Sequence, residues 1–180
     1  ILNMGLSLAD VNVPAEILYA ENRKIIDPVA NRYFVIFDPV EISVKKSPKI
    51  DKINVPLHPD FPKRGTRTIP VETQKIYIEK DDFEKLKGKE IGLIGLFSVK
   101  LERNAEFLSR NIRMEMKKIH WVSEPNFKIK IIMPDGKERN GLAEPDVKKL
   151  KEDDIIQMQR VGFARVNKVD KDIVLYFAHK

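Results

Sequence analysis

From Tyr33 onward, the chain consists of short β-branched and aromatic runs that are separated by proline, glycine and aspartate. Eight such runs occur, among them YFVIF, EISV, KIYIE and FKIKIIM. Runs of this length and composition are typical of β-strands, and many short strands at close spacing favour sandwiches or barrels. The chain is therefore predicted to be mainly β.

Before the first strand, one segment has the pattern of a helix. Its apolar residues recur roughly at helical spacing, and Pro14 suits a first helical position. The pattern stops at Asp27 and Pro28, because proline cannot continue a helix. Further along the chain, turn-like sequences predict a hairpin turn at the PDG of residues 134–136 and short helices or turns at 81–86 and 144–150.

These patterns predict a short helical entry followed by two small antiparallel β-barrels of about 70 residues each. Residues 1–31 form the entry, residues 32–101 the proximal barrel, completed by residues 169–180, and residues 102–168 the distal barrel. The seam is placed near residues 102–107, because the polar ERNAEF sequence there has the composition of a loop between strand-like runs.

The composition excludes some kinds of site and favours others. The 180 residues include no cysteine, which excludes disulfides and cysteine-zinc sites, and the three histidines lie too far apart in sequence to predict a metal site. A formal net charge of +6 favours an anionic partner. We find neither an apolar run of about 18 residues nor a signal-like segment, so a cytoplasmic chain with no membrane partner is expected.

Several long segments are more specific than a generic β-sequence. They are ENRKIIDPVANRYFVIFDPVEI, KIHWVS, GLAEPDVKKL and LYFAHK, and HPD, RGTR and the segment 76–90 fall in register between them. Together they resemble the archaeal and eukaryotic glutamyl- and glutaminyl-tRNA synthetases of class I, over essentially the whole chain. The resemblance implies that residues 1–31 end a helical connection to a catalytic domain and that the barrels after it bind a tRNA anticodon.

The same resemblance implies that the chemistry lies elsewhere. Class I synthetases carry an HIGH-type sequence that contacts ATP phosphates and a KMSKS-type loop whose lysine stabilises the charge of adenylate formation. LHPD at 57–60 and VKKSPK at 44–49 share letters with these sequences but lie among strand-like runs. We therefore predict no catalytic residue and no cofactor in this chain, which should be inactive alone, whereas ATP and magnesium are implied for the catalytic domain.

The strand that follows GKE bears on the amino acid that is charged. In the glutaminyl branch it resembles a run of alternating arginines that meet the anticodon, but here Gly92 and Ile94 stand at those places. IIDPVANRYF and YFAHK are more similar to archaeal glutamyl enzymes, so the glutamyl branch is preferred, with glutamate tRNA as partner and glutamine tRNA left open. The alternatives are the glutaminyl branch, an autonomous ribosomal-type RNA-binding barrel protein, and a protein-interaction module.

Residues that contact the anticodon are predicted on one strand and at one junction. In DIIQMQRVGF, alternation places Gln157 and Gln159 on one face and Arg160 on the other. By resemblance, the Gln-x-Glu-Arg anticodon strand of the family falls on these three residues, with glutamine instead of glutamate at 159. Arg32 matches a family arginine that contacts the central anticodon base. The alternative interpretation is that these are ordinary surface amides and arginines.

Other side chains are candidates for contacts with the RNA backbone or with stacked bases. Basic residues hold phosphates as point charges or as forks, although for each of them alone a solvated surface is the favoured interpretation. The backbone candidates are Lys63, Arg64, Arg67, Lys117, Lys118 and Arg165. Phe61 and Phe127 lie beside loops and are candidates for base stacking, whereas the anionic Asp60 disfavours a contact with phosphate.

Overall fold

The computed structural model describes residues 14–170 and 172–180. Its α-helices in this part of the chain are α1 (Ala15–Ile26) and α2 (Lys80–Leu86). The strands in chain order are β1 (Asn31–Tyr33), β2 (Val35–Phe37), β3 (Pro39–Lys45), β4 (Lys52–Pro56), β5 (Thr66–Pro70), β6 (Ile76–Glu79), β7 (Glu90–Leu93), β8 (Phe97–Lys100), β9 (Asn104–Ser109), β10 (Lys117–Ile119), β11 (Val122–Ser123), β12 (Phe127–Ile132), β13 (Glu138–Ala143), β14 (Ile155–Met158), β15 (Gly162–Val169) and β16 (Ile173–His179). The mainly β fold is confirmed.

Helix α1 forms the predicted helical entry. Pro14 directly precedes it, and the helix ends at Ile26, before Asp27. Ile26 is buried in a small cluster with Ala30 and Phe163, so the last turn of α1 packs against the start of β15. The helix is thereby attached to the β-structure through its carboxyl end.

Two curled sheets close into barrels in the same way. The strand order is β10-β7-β8-β9-β3-β6-β11 in the first barrel and β1-β14-β15-β16-β12-β13-β2 in the second. Residues 120–121 separate β10 from β11, and Phe34 separates β1 from β2, so the end strands of each sheet are halves of one interrupted strand. The two edges of each sheet therefore meet on a single chain segment, which closes the sheet.

The predicted pair of barrels is confirmed, but both sheets are mixed rather than purely antiparallel. β1 pairs with β14, β3 with β9, β7 with β10 and β12 with β16 in parallel. Parallel neighbours cannot be joined by a tight hairpin, because the chain must first return to the same end of the sheet. Long connections between the paired strands provide this return, and short strand-like runs in a sequence do not reveal them.

The strands divide between the barrels at other positions than the predicted boundaries. The predicted seam falls on β9, which pairs with β8 and β3 inside the first barrel. ERNAEF is polar because alternate residues of β9 face solvent: Ala105 is buried, whereas Asn104 and Glu106 are exposed. β16 pairs with β15 and β12, so residues 173–179 complete the second barrel and not the first.

The two barrels meet where their closing strands are interrupted. Phe34 lies between β1 and β2 of the second barrel but is buried in the core of the first. Its ring centroid is 6.3 Å from those of His120 and Trp121, which lie between β10 and β11. His120 Nε2 is 2.8 Å from the carbonyl oxygen of Val35. Each interruption therefore packs against the other, and the barrels are joined at this point.

The chain between β3 and β6 forms a separate hairpin. Its strands β4 and β5 pair from Lys52 opposite Pro70 to Pro56 opposite Thr66. The loop that joins them contains a 3-10 turn, Pro62–Arg64. The hairpin lies beside β1 on the side away from β14, because the Arg32 N–H donates to the carbonyl of Leu57, just after β4, at 2.8 Å.

The short elements predicted from turn-like sequences are present. Residues 81–86 lie in α2, and residues 144–150 contain a 3-10 turn, Pro145–Lys149. In the PDG turn, the Gly136 N–H donates to the Met133 carbonyl at 2.9 Å. Among the helices of the described residues, none has the length and apolar character needed to span a membrane.

Candidate nucleic-acid interface

Three of the predicted anticodon residues meet where β1 lies beside β14. The two strands are parallel, with Arg32 opposite Gln157 and Tyr33 opposite Met158. Tyr33 and Met158 are buried in the second core, so alternation along both strands turns Arg32 and Gln157 away from it. The Gln159 N–H donates to the Tyr33 carbonyl at 2.9 Å. Arg32, Gln157 and Gln159 are thereby brought together from distant parts of the sequence.

Arg32 is held by acidic residues and a histidine. Its Nη2 lies 3.3 Å from Asp27 Oδ1, 3.3 Å from His58 Nε2 and 3.9 Å from Asp60 Oδ2. The side chain is 17% exposed, and its buried Nε has no hydrogen-bond partner among the described residues. Buried polar nitrogens ordinarily have a partner. Arg32 is therefore held in place by its three neighbours, and its buried Nε stays unsatisfied in the described part of the fold.

A cleft opens in front of Arg32, where the second barrel, the β4–β5 hairpin and the turn between β7 and β8 meet. We call it the Arg32 cleft; its lining includes Arg32, Phe34, Pro56, Pro59, Gly95 and Gln159. Proline and phenylalanine give it apolar walls, and Arg32 and Gln159 supply polar groups. This combination is suited to a planar base, since its faces need apolar or aromatic contact and its edge needs hydrogen bonds.

Gln157 and Arg160 belong to a second cleft. We call it the Arg160 cleft; its lining includes Arg23, Gln157, Arg160, Phe163 and Lys180. β14 ends at Met158, and Arg160 has a positive φ of 67° in the turn to β15. The alternation predicted for this sequence therefore stops before Gln159, and the two glutamines line different clefts. Gln157 Oε1 is buried without a hydrogen-bond partner in the described part of the chain.

Arg160 bridges the two barrels. Its Nη1 and Nη2 donate to Oδ2 and Oδ1 of Asp82 at 2.6 and 2.9 Å, and Nη1 lies 3.2 Å from His120 Nδ1. Burial alone would raise the pKa of Asp82, but the hydrogen bonds and charge of Arg160 offset it, and the pKa is lowered. The guanidinium thus joins the β14–β15 turn to α2, and a contact with RNA requires that it share or leave Asp82.

Two of the predicted phosphate contacts are used inside the fold. Arg64 donates to the carbonyls of residues 28–30, just beyond the end of α1. Arg67 is 1% exposed, and its Nε lies 2.6 Å from Oε1 of the fully buried Glu144. A guanidinium with this burial has no surface to offer to a phosphate. Arg64 therefore fixes the hairpin loop to the helix, and Arg67 fixes the hairpin to the second barrel.

The remaining phosphate candidates lie at the surface. Lys63 is exposed in the 3-10 turn of the hairpin loop, and Lys117 and Lys118 are exposed on β10. Arg165 is also exposed, but its Nη1 lies 2.6 Å from Asp153 Oδ1. The three lysines are consequently available to an anion, whereas Arg165 would first have to leave its carboxylate.

Comparison with known proteins identifies the family. Two family models described as "tRNA synthetases class I (E and Q), anti-codon binding domain" match residues 30–119 and 118–167. The chain belongs to this family. The resemblance found in the sequence is thereby confirmed. The first matched stretch covers β1 to β10 and the second begins at β10 and ends within β15, so β1 and β2 of the second barrel fall in the first match and β16 lies beyond both.

The curated relatives of this anticodon-binding chain include archaeal proteins named glutamate–tRNA ligase. The relative from Pyrococcus furiosus is 38% identical over 100% of the chain, that from Thermococcus kodakarensis 37% over 100%, and that from Methanosarcina mazei 37% over 99%. The chain spans 34%, 34% and 32% of the length of these three relatives. About two thirds of each relative therefore lies outside the match.

Sequence analysis missed the acidic and histidine partners of the arginines in this anticodon-binding domain. Asp82 follows the start of a helix, a place at which an aspartate suggests a cap rather than a partner for Arg160. Glu144 precedes a prolyl turn and gave no sign of burial. Burial raises its pKa to about 7, although Arg67 and the Phe34 N–H, which donates to Glu144 Oε2 at 2.8 Å, act in the opposite direction.

Proposed function

We propose that this chain is the anticodon-binding part of a glutamate–tRNA ligase and holds the anticodon loop of glutamate tRNA. The observation that carries the proposal is the meeting of Arg32, Gln157 and Gln159 at β1 and β14, where two clefts lie side by side. The relatives named glutamate–tRNA ligase support the choice of amino acid. RNA sequence is recognised mainly in unpaired loops, and an anticodon loop is one.

The two clefts suit two neighbouring unstacked nucleotides. In the Arg32 cleft, the guanidinium donates to a base carbonyl oxygen, and the Gln159 amide both donates and accepts. Uracil presents carbonyl oxygens on either side of an N–H, so this set of groups fits its edge. In the Arg160 cleft, the Gln157 amide accepts a hydrogen bond from the next base or from a ribose hydroxyl once its buried Oε1, unpartnered among the described residues, turns toward the cleft. Arg160 adds a donor once it shares its contact with Asp82.

Exposed lysines hold the backbone of the loop and of the adjoining stem. Lys63 lies in the hairpin loop beside Arg32, and Lys117 and Lys118 lie on the first barrel. Phosphate contacts of this kind position the RNA without selecting its sequence, and they release counterions. Binding should therefore weaken steeply with salt, whatever the anticodon.

Aminoacylation itself belongs to the remainder of the full-length ligase. We propose that a catalytic domain outside these 180 residues binds ATP, magnesium and glutamate, and that this chain supplies tRNA selection. The chain alone should therefore show no glutamate-dependent exchange of pyrophosphate into ATP. Whether the ligase also charges glutamine tRNA depends on how the clefts treat the third anticodon base, because the two tRNAs share their central uridine.

A double-mutant cycle between protein and anticodon tests the proposal. In the full-length ligase, Arg32→Ala and Gln157→Ala should each lower kcat/KM for charging. The loss of transition-state stabilisation calculated from each ratio should be about 1 to 3 kcal/mol. Much of the Arg32→Ala loss should vanish when the central anticodon base is already changed, and much of the Gln157→Ala loss when the neighbouring base is already changed. Lys63→Ala is the control, because it should weaken all anticodon variants by a similar factor and reduce the salt slope by roughly one.

The cycle separates base contacts from general stability. If Arg32→Ala and Gln157→Ala distinguish natural from altered anticodons no better than Lys63→Ala does, the two clefts are not base sites. If the ligase charges glutamine tRNA as well as glutamate tRNA, the same cycle with both tRNAs shows whether Arg32 contributes equally to each, as a contact with a shared base requires.

A further inference from the structure

An aromatic side chain stands exposed on the loop of the β4–β5 hairpin. Phe61 is 42% exposed and directly precedes the 3-10 turn Pro62–Arg64. A solitary exposed phenylalanine on a mobile loop would need no explanation. This loop, however, is held in one conformation by several hydrogen bonds to the rest of the fold.

Hydrogen bonds tie both ends of the loop to the fold. The Leu57 N–H donates to the Gly65 carbonyl at 3.0 Å, and the Arg32 N–H donates to the Leu57 carbonyl at 2.8 Å. Within the loop, the Arg64 N–H donates to the Phe61 carbonyl at 3.1 Å, and the Arg64 guanidinium binds the carbonyls of residues 28–30. The Phe61 ring is thus presented by a backbone that has little entropy left to lose on binding.

Phe61 packs on His58, which also contacts Arg32. The Phe61 ring centroid is 4.8 Å from that of His58, which is completely buried. His58 Nδ1 accepts from the Asp60 N–H at 3.1 Å, and its Nε2 lies 3.3 Å from Arg32 Nη2. One buried imidazole therefore supports both the exposed aromatic ring and the arginine of the Arg32 cleft, which sets the two at a fixed relative position.

We propose that Phe61 is a stacking platform for an unpaired nucleobase of the tRNA, next to the base held in the Arg32 cleft. This inference rests on the proposed function. A base is the occupant that the surroundings favour, because it brings an aromatic face for Phe61 and an anionic phosphate for the exposed Lys63 two residues further on. The nearby Asp60 carboxylate is within 3.9 Å of Arg32 Nη2, so its charge is partly compensated.

Substitutions at Phe61 distinguish stacking from a merely apolar contact. The measurement is the affinity of the 180-residue chain for a glutamate tRNA transcript. Phe61→Ala should lower the affinity about 5- to 100-fold, Phe61→Trp should retain it, and Phe61→Leu should recover only part of the loss, since leucine has no aromatic face. Met114→Ala is the matched control: Met114 is 92% exposed on another loop, and its removal should leave the affinity unchanged.

Abasic tRNA locates the stacked nucleotide. Each anticodon-loop base is removed in turn, and the loss caused by Phe61→Ala should disappear at one position and persist at the others. In Phe61→Trp, the exposed indole should be quenched when this tRNA binds, and its emission is separable from that of Trp121, which is completely buried. A loss that persists at every abasic position would overturn the stacking assignment.

The outcomes separate this inference from the proposed function. If the unaltered chain does not bind glutamate tRNA, the proposed function fails. If it binds, and Phe61→Ala or Phe61→Leu binds as tightly as the unaltered chain, the stacking platform fails while the proposed function stands. Thermal unfolding of each variant shows whether the loop still folds, and the affinity retained by Phe61→Trp is a result that a general loss of structure cannot produce.

Discussion

Two arginine–carboxylate pairs join parts of this molecule that are distant in sequence, and they differ mainly in burial. Arg67 and Glu144, which join the hairpin to the second barrel, are 1% and 0% exposed. Arg160 and Asp82, which join the second barrel to α2 of the first, are 28% and 12% exposed. The second pair also has the better geometry, with two hydrogen bonds at 2.6 and 2.9 Å.

Because of this difference in burial, the protein shifts the pKa values of the two carboxyl groups in opposite directions. For Glu144, loss of water outweighs the attraction of Arg67, and burial raises the pKa to about 7. For Asp82, loss of water is smaller, the Arg160 contacts outweigh it, and the pKa is lowered. Complete burial therefore makes an ion pair costly to form and still more costly to break, whereas partial burial leaves a net gain from pairing.

The largest effect is expected when the buried pair is broken. Glu144→Ala should lower the free energy of unfolding by about 3 to 5 kcal/mol, because the buried Arg67 guanidinium and the Phe34 N–H would both lose the carboxyl oxygens beside them. Urea-induced unfolding, followed by circular dichroism, measures the change. The matched control replaces both partners, Arg67→Met with Glu144→Leu, and should lose less than Glu144→Ala. A double variant as unstable as the single one would show that the unpartnered Arg67 guanidinium is not the cause.

The second effect is a pH dependence that belongs to Glu144. Because its folded pKa of about 7 exceeds the ordinary value of 4.5, the folded state binds the proton more tightly than the unfolded state. The stability this provides is fully present below about pH 4.5 and is lost as the pH rises through about 7, a decline of up to roughly 3 kcal/mol. The measurement compares unfolding free energies of the unaltered chain and of Glu144→Gln from pH 5 to 8. Parallel curves would contradict the prediction.

The sequence predicted elements better than it predicted contacts. The helix before Asp27, the short strands and the two barrels were predicted from local periodicity, and all of them are present in the structure. The assignment of residues 102–107 and 169–180 failed because barrel membership depends on pairing across long connections. Nothing local in ERNAEF distinguishes a strand with one solvated face from a loop, since both place polar residues at Asn104 and Glu106.

The candidate site was predictable only in part, for the same reason. Resemblance selected Arg32, Gln157 and Gln159, and the register of β1 with β14 brings them together. It could not show that Arg67 is buried, because the burial of an arginine depends on a carboxylate from another part of the chain, here Glu144. Charge composition treats every arginine alike, although burial decides which of them can meet a phosphate.

A smaller effect is expected at the pair that joins the barrels. Asp82→Asn keeps the volume of the side chain but removes its charge, and should cost about 1 to 3 kcal/mol of unfolding free energy. The pKa of Asp82 is lowered, so its contribution is present above the ordinary value of 3.8 and is lost as the pH falls through the lower folded value. Acid unfolding of the unaltered chain should therefore be steeper than that of Asp82→Asn. If the two chains unfold equally steeply as the pH falls, another carboxylate is responsible for the acid sensitivity.

The smallest effect is expected at an ion pair that extends the comparison to the exposed surface. Arg165 and Asp153 have a short contact of 2.6 Å, but their side chains are 52% and 78% exposed. Water already solvates both charges, so Arg165→Ala should change the unfolding free energy by less than about 1 kcal/mol, and added salt should shrink the change further.

Asp153 has a positive φ of 71°, a conformation that aspartate and asparagine tolerate better than alanine, so the matched partner substitution is Asp153→Asn. A double-mutant cycle of these two substitutions isolates the pair from the contact of Arg165 with the Tyr176 ring at 5.7 Å. The shortest contact is 2.6 Å in all three pairs, so a coupling free energy above about 2 kcal/mol would mean that burial does not rank them and that the contrast between Glu144 and Asp82 needs another cause.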